Sequence, residues 1–256
     1  MKGLKRYVPN MLTCISLIFG FYAAILGITG NYWGAMGAIF IAAVFDFSDG
    51  LAARQLKAYS AMGKELDSLA DMVSFGVAPG MMLFGFLDQI LHQLAWHELA
   101  VCKLFLLAAF AVPVFSGLRL AKFNIDERQK SSFIGLPVPA HAILWSSLVV
   151  VLTHDAHTTF CIFPQLAELL AAIPPATMLI GVSIAVVATS LLLVSEIPMF
   201  SLKIGSLSWR ANKLPYTLIT AAIVFLLFFG VAGIAATILF YIILCIILAG
   251  ASYNSR

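Results

Sequence analysis

The sequence predicts an all-α fold: a polytopic membrane bundle of about eight transmembrane helices, with a six-helix core. Three observations carry that reading. Hydrophobic residues fill 62% of the 256 positions and charged residues only 11%, whereas soluble domains average roughly 45–50% and about 25%. Eight apolar runs, each long enough to cross a bilayer with some tilt or shortening, occur at 11–29, 33–50, 67–87, 99–121, 135–153, 176–195, 215–231 and 233–250. The basic residues between these runs fall almost entirely on alternate connections. This composition excludes a disordered chain, a secreted disulfide scaffold and a cytosolic enzyme. The net charge of +3 is modest and scattered, which argues against a nucleic-acid partner.

The elements follow in order. The first run comes after the basic stretch MKGLKRYVPN, and no small-residue cleavage site follows it, so it reads as a retained first helix. The second and third runs carry acidic residues at their ends. The third also holds Gly76 and Gly80, a spacing that permits close helix packing, with Pro79 between them predicting a kink. That pair is a weak signal for self-association. The last two runs, separated near Gly233, read as a helical hairpin. The organisation expected is a membrane core over 1–200, then a cytoplasmic loop and C-terminal hairpin over 201–256.

Charge gives an orientation. With eight helices, fourteen of the fifteen basic residues fall on one side: Lys2, Lys5, Arg6, Arg54, Lys57, Lys64, Arg119, Lys122, Arg128, Lys130, Lys203, Arg210, Lys213 and Arg256. Only Lys103 falls opposite, where its stem can snorkel. The bias assigns the charged side to the cytoplasm, with both termini inside and the protein in the cytoplasmic (inner) membrane.

Other polar residues say less. Cys14, Cys102, Cys161 and Cys245 are widely spaced and read as apolar fillers. His154, Asp155 and His157 offer metal-ligating atoms, but read first as a polar loop at the membrane surface. His141 reads as a hydrogen-bonded residue within the bundle.

The chemistry concentrates between positions 46 and 71. Asp46 and Asp49 are spaced i, i+3 at the end of the second helix; Asp67 and Asp71 are spaced i, i+4 at the start of the third. Each pair shares one helix face, and the two helices are antiparallel, so all four acids lie at similar depth. An acid in the apolar layer costs several kcal/mol unless it is neutralised. Two divalent cations balance four negative charges, and an all-oxygen donor set favours hard ions such as Mg²⁺ or Mn²⁺ over zinc. Salt bridges with neighbouring helices and a cation pathway are the alternatives. Gly50, Ala53 and Gly63 allow close approach to the backbone, and Arg54 adds a forked donor suited to phosphate. Together these features describe a site for a polyanion such as a diphosphate.

The run Asp46-x-x-Asp49-Gly50-x-x-Ala53-Arg54, eight further residues, then Gly63-x-x-x-Asp67-x-x-x-Asp71 resembles the full signature of the CDP-alcohol phosphotransferases. These are membrane enzymes that move a phosphoryl-containing group from a CDP-linked donor to an alcohol and release CMP. FDFSDGLAAR, ELDSLADMVSFGVAP, SGLRLAKFN, FIGLPVPA, SEIPMFSLK and the N-terminal YVPNMLT are similar to the type II phosphatidylserine synthases. Lys122 stands where many of these have Arg, keeping the charge but losing the planar fork.

The resemblance implies that Asp46, Asp49 and Asp67 are metal ligands, that Asp71 is a ligand, the general base or both, with two Mg²⁺ or Mn²⁺ ions expected, and that Gly50, Ala53, Arg54 and Gly63 line the CDP pocket. It implies CDP-diacylglycerol as donor, L-serine as acceptor, phosphatidylserine and CMP as products, and a homodimer. Asn10 is expected either to touch the donor phosphates or to cap the first helix. Arg119, with Lys122 and Asn124 nearby, is expected either to bind the acceptor or, for the two basic residues, to anchor lipid phosphates. The rival readings are a related transferase acting on glycerol 3-phosphate or inositol phosphate and, more distantly, a cation transporter.

Overall fold

The structure, a computed structural model, describes residues 7–126, 133–153, 170, 172–200 and 212–254. The loop trio His154, Asp155 and His157 lies outside them, as do Cys161, the expected terminal charges Lys2, Lys5, Arg6 and Arg256, and the loop charges Arg128, Lys130, Lys203 and Arg210.

Each predicted apolar run is a helix: α1 (Val8–Ile28), α2 (Tyr32–Gln55), α3 (Ala61–Gln93), α4 (Cys102–Ile125), α5 (Val138–Leu152), α6 (Pro175–Leu193), α7 (Lys213–Phe229) and α8 (Val231–Asn254). Six of them, all but α5 and α7, are long and apolar enough to span a bilayer, so the chain is a multi-pass membrane protein. The only sheet among the described residues is a two-stranded antiparallel ladder, β1 (Phe133–Ile134) with β2 (Pro198–Met199). The α7–α8 hairpin turns on Gly230, at φ +55°, rather than near Gly233. Gly233 lies past the turn, where a Cβ would collide with the Phe225 carbonyl.

Two expected boundaries move. α2 runs on to Gln55 and α3 begins at Ala61, so the aspartates sit about two turns or more inside their helices rather than at the ends. Polar residues in 51–66 lower the local hydropathy without breaking the helix. The connection is closed by two local devices. Lys57, at φ +52°, ends α2 with Ala58 N–H donating to the Ala53 carbonyl and Lys57 N–H to that of Arg54, a Schellman turn. The Ser60 hydroxyl then accepts the Gly63 N–H at 2.9 Å and caps α3.

The expected kink at Pro79 takes the form of a π-helical stretch, Met72–Val77, directly after Asp71. Proline cannot donate a backbone hydrogen bond and crowds the preceding turn; the widened turn ahead of it accommodates that ring. Gly76 faces Ser116 and Gly80 faces Pro113 of α4, so the paired glycines serve packing within the chain.

Small residues also seat α1 against α3. A Cβ on Gly20 would collide with Ser74, and one on Gly27 would come within 2.8 Å of Met82. Ser16 donates to the Ala42 carbonyl (3.0 Å) and Ser74 to the Ser16 carbonyl (3.1 Å), joining α1, α2 and α3. In a bilayer, where apolar burial gives no net drive between helices, such close approaches and interhelical hydrogen bonds hold the bundle. His141 is fully buried, 3.1 Å from the Thr189 hydroxyl, which also accepts from the Trp145 indole. It is a bundle residue.

Candidate active site

The α1–α2–α3 triangle brings the start of α1 and the facing parts of α2 and α3 to one end of the bundle. There, carboxylate oxygens of Asp46, Asp49 and Asp67 lie within 4.8 Å of one another. The Asp46 carboxyl is close enough to those of both Asp67 and Asp71 to interact with them, so the fourth acid joins the cluster. None of the four forms an ion pair with Lys or Arg among the described residues, and the salt-bridge alternative finds no support. Asp71 Oδ1 is buried with no hydrogen-bond partner, a costly state for an acid in an apolar layer. Four convergent carboxylates, oxygen donors only, with one oxygen unpartnered, fit a divalent-cation site.

Thr13 carries a signal that sequence reading missed. Its hydroxyl donates to Asp49 Oδ2 at 2.5 Å and lies 3.1 Å from the Pro9 carbonyl. A threonine one turn after a helix start, within an apolar run, is indistinguishable from filler until α1 is placed beside α2.

Beside the carboxylates is a cavity of about 200 Å³. Asn10, Gly50, Ala53 and Gly63 line it with Asp49 and Asp67. Asn10 is the third residue of α1, and the helix has no side-chain cap, so capping is not its role. Gly50 has no atom within 4 Å of where a Cβ would project; that open volume is available to a ligand. A Cβ on Gly63 would come within 2.9 Å of Asn10 Oδ1. Arg54 is exposed near the end of α2 and is not among the lining residues, whereas Lys64 and Tyr59 are. A larger cavity of about 580 Å³ opens at the opposite end of the bundle, beside Tyr32 and Gln89, with none of the four clustered aspartates.

On the other flank stands Arg119. It is 7% exposed, its guanidinium lies 5.3 Å from the centroid of the Phe123 ring, and its Nε has no hydrogen-bond partner. It is close enough to Asp71 to feel its charge. Such burial does not suit a lipid-phosphate anchor. Lys122 is instead ion-paired with Glu196 at 2.5 Å. The Asn124 side-chain amide donates to Ser68 Oγ at 2.9 Å, while the Asn124 backbone carbonyl accepts from the Lys64 ammonium. Of the three residues expected on the acceptor side, Arg119 alone interacts with one of the four acids.

Comparison with known proteins agrees with this geometry. The CDP-alcohol phosphatidyltransferase family pattern matches residues 6–173. A CDP-diacylglycerol–serine O-phosphatidyltransferase of Bacillus subtilis (strain 168) is 39% identical over 134 residues, 52% of this chain and 70% of that protein. One of the same name from Helicobacter pylori (strain J99) is 32% identical over 151 residues, 58% and 59% of the two chains. An archaetidylserine synthase of Methanothermobacter thermautotrophicus is 30% identical over 142 residues, 55% and 56%. The matched segment thus spans between just over half and seven-tenths of these relatives' lengths. With the family pattern covering well over half of the sequence, across the helices that carry all four aspartates, the chain belongs to the CDP-alcohol phosphatidyltransferase family.

Proposed function

We propose that this protein is a CDP-diacylglycerol–serine O-phosphatidyltransferase, making phosphatidylserine and CMP from CDP-diacylglycerol and L-serine. In this reading it lies in the cytoplasmic membrane with the aspartates facing the cytosol, and it works as the homodimer that the family resemblance implies. The names of its relatives support the substrates. The observation that carries the chemistry is the cluster of Asp46, Asp49 and Asp67, two of which, Asp49 and Asp67, line a cavity together with Gly50, Ala53 and Gly63.

The donor's acyl chains stay in the bilayer while its CDP group enters that cavity, where the absence of a side chain at Gly50 leaves room and Asn10 offers an amide. Asp46, Asp49, Asp67 and Asp71 would hold two Mg²⁺ or Mn²⁺ ions. When bound, these ions supply positive charge to the diphosphate and the departing CMP. The serine hydroxyl oxygen attacks the phosphorus that carries the lipid; a new O–P bond forms, the P–O bond to CMP breaks, and the hydroxyl proton passes to Asp71. A carboxylate shared with a metal is a weak base, and the unpartnered Oδ1 of Asp71 gives that proton a place to go. Arg119 faces the serine carboxylate, for which its unpartnered Nε is a ready donor. Arg54, at the rim, adds positive charge near the donor.

The test is CMP release by purified protein with CDP-diacylglycerol, Mn²⁺ or Mg²⁺, and serine, glycerol 3-phosphate or inositol phosphate in turn. Release with serine alone is expected. Release with a phosphorylated acceptor and none with serine would overturn the assignment.

A further inference from the structure

Lys64 is the one basic residue among the described residues that line the cavity beside the aspartates. It is the fourth residue of α3, and Asp67, which lines the same cavity, follows at i+3 on the same helix face. The Lys64 ammonium donates to the backbone carbonyl of Asn124, at the end of α4, at 3.3 Å. The Asn124 side-chain amide reaches back to Ser68 Oγ at 2.9 Å, and Ser68 Oγ donates to the Lys64 carbonyl at 3.3 Å. A ring of three hydrogen bonds thus ties this exposed lysine to α4 and holds its head beside the cavity.

Helix stability does not call for a lysine here. A cation in the opening turns of a helix works against the helix dipole, and the first turn of α3 holds no acid to offset it. Lys64 forms no ion pair among the described residues. An ammonium has three N–H donors, and the Asn124 carbonyl takes one. Charge balance supplies a use for the rest. Two divalent ions offset four carboxylates and leave nothing over, while the diphosphate of a CDP-linked lipid brings further negative charge into a cavity walled by Asp49 and Asp67. A fixed cation in that wall forms charge-assisted hydrogen bonds with such an anion, and holding it in place beforehand lowers the ordering cost of binding.

We propose that Lys64 is a donor-binding residue: its ammonium, held by the end of α4, grips the diphosphate of the CDP-linked lipid from the side of the cavity opposite no other base. This rests on the reading of the cavity as the CDP pocket.

The probe is CDP, the soluble part of the donor, titrated calorimetrically into the full-length protein in detergent with Mg²⁺, at low and high salt. Lys64→Gln and Lys64→Arg are compared with the unmodified protein, and thermal unfolding is measured in the same detergent. The Kd for CDP is expected to rise about ten-fold in Lys64→Gln, the low end for a hydrogen bond to a charged group, and the deficit is expected to shrink in high salt. Lys64→Arg keeps the charge and is expected to stay within about three-fold, with all melting temperatures alike. Equal losses in the two variants, or a lowered melting temperature accompanying the loss, would mark a structural role and overturn the proposal. Normal CDP binding by Lys64→Gln, the result if this lysine serves only the phosphates of the bilayer, would refute the Lys64 assignment and leave the CDP pocket standing. Failure of the unmodified protein to bind CDP would refute the pocket itself, and this inference with it.

Discussion

Thr13→Val offers the sharpest test of the metal site. Valine keeps the shape of the side chain and deletes the hydroxyl that donates to Asp49 Oδ2 at 2.5 Å. Thr13 is only 4% exposed, so water has little access to replace the lost donor. A hydrogen bond to a charged group contributes about 1.5–3 kcal/mol, and each 1.36 kcal/mol is tenfold. The expected effect is therefore a rise of roughly 10- to 150-fold in the Mg²⁺ or Mn²⁺ concentration needed for half-maximal activity, similar to other losses of groups that orient metal ligands. The hydroxyl holds one Asp49 oxygen and leaves the other available for a metal; without it, a carboxylate faces methyl groups and turns away. CMP release titrated with metal at saturating donor measures this directly. Thr13→Ser restores the donor and is expected to recover most of the affinity. If Thr13→Val titrates like the unmodified protein, Asp49 is not a ligand held by α1, and the geometry of the site has been misread.

Three further predictions follow from single features. Gly50→Leu projects into space where no atom lies within 4 Å; it is expected to leave the melting temperature alone while raising the donor KM at least about ten-fold, since a filled pocket excludes the ligand. Gly20→Val drives a side chain into Ser74; a loss of about 1–3 kcal/mol, typical of overpacking, is expected as a lowered melting temperature in detergent. Asp71→Asn keeps size and polarity but cannot take the proton; turnover is expected to fall about 100-fold or more while the protein still folds, and normal turnover would exclude Asp71 as the base.

Hydropathy made the helices legible because lipid-facing and core-facing positions are both apolar in a membrane, so each spanning run stands out as a block. The same property hid what distinguishes one apolar position from another. Thr13 could not be told from filler, because its meaning comes from Asp49, 36 positions away. The i, i+3 and i, i+4 spacing of the aspartates put them on common faces, and the short connection between α2 and α3 brought those faces together, as found. Charge alone could not place Arg54 and Lys122: Arg54 is exposed near the end of α2 while Lys64 lines the cavity, and Lys122 is paired with Glu196, 74 positions on. The helix boundaries near the site were obscured because hydropathy falls through 51–66 while the Schellman turn at Lys57 and the Ser60 cap mark the true ends.

The wide-wound stretch Met72–Val77 divides α3 into a length that carries Asp67 and Asp71 and a length that begins at Ala78. The carboxylate end packs on α1 while its acids meet those of α2, and Gly80, beyond the stretch, packs on Pro113 of α4. Removing one of those residues would let the rod wind uniformly, with both halves keeping nearly the same faces, because the wider i→i+5 turn is what absorbs the extra residue. Such a deletion would leave a helix fit to cross the membrane with its acids still beside α2; what it would lose is the roomier backbone directly after Asp71 that takes up the Pro79 ring.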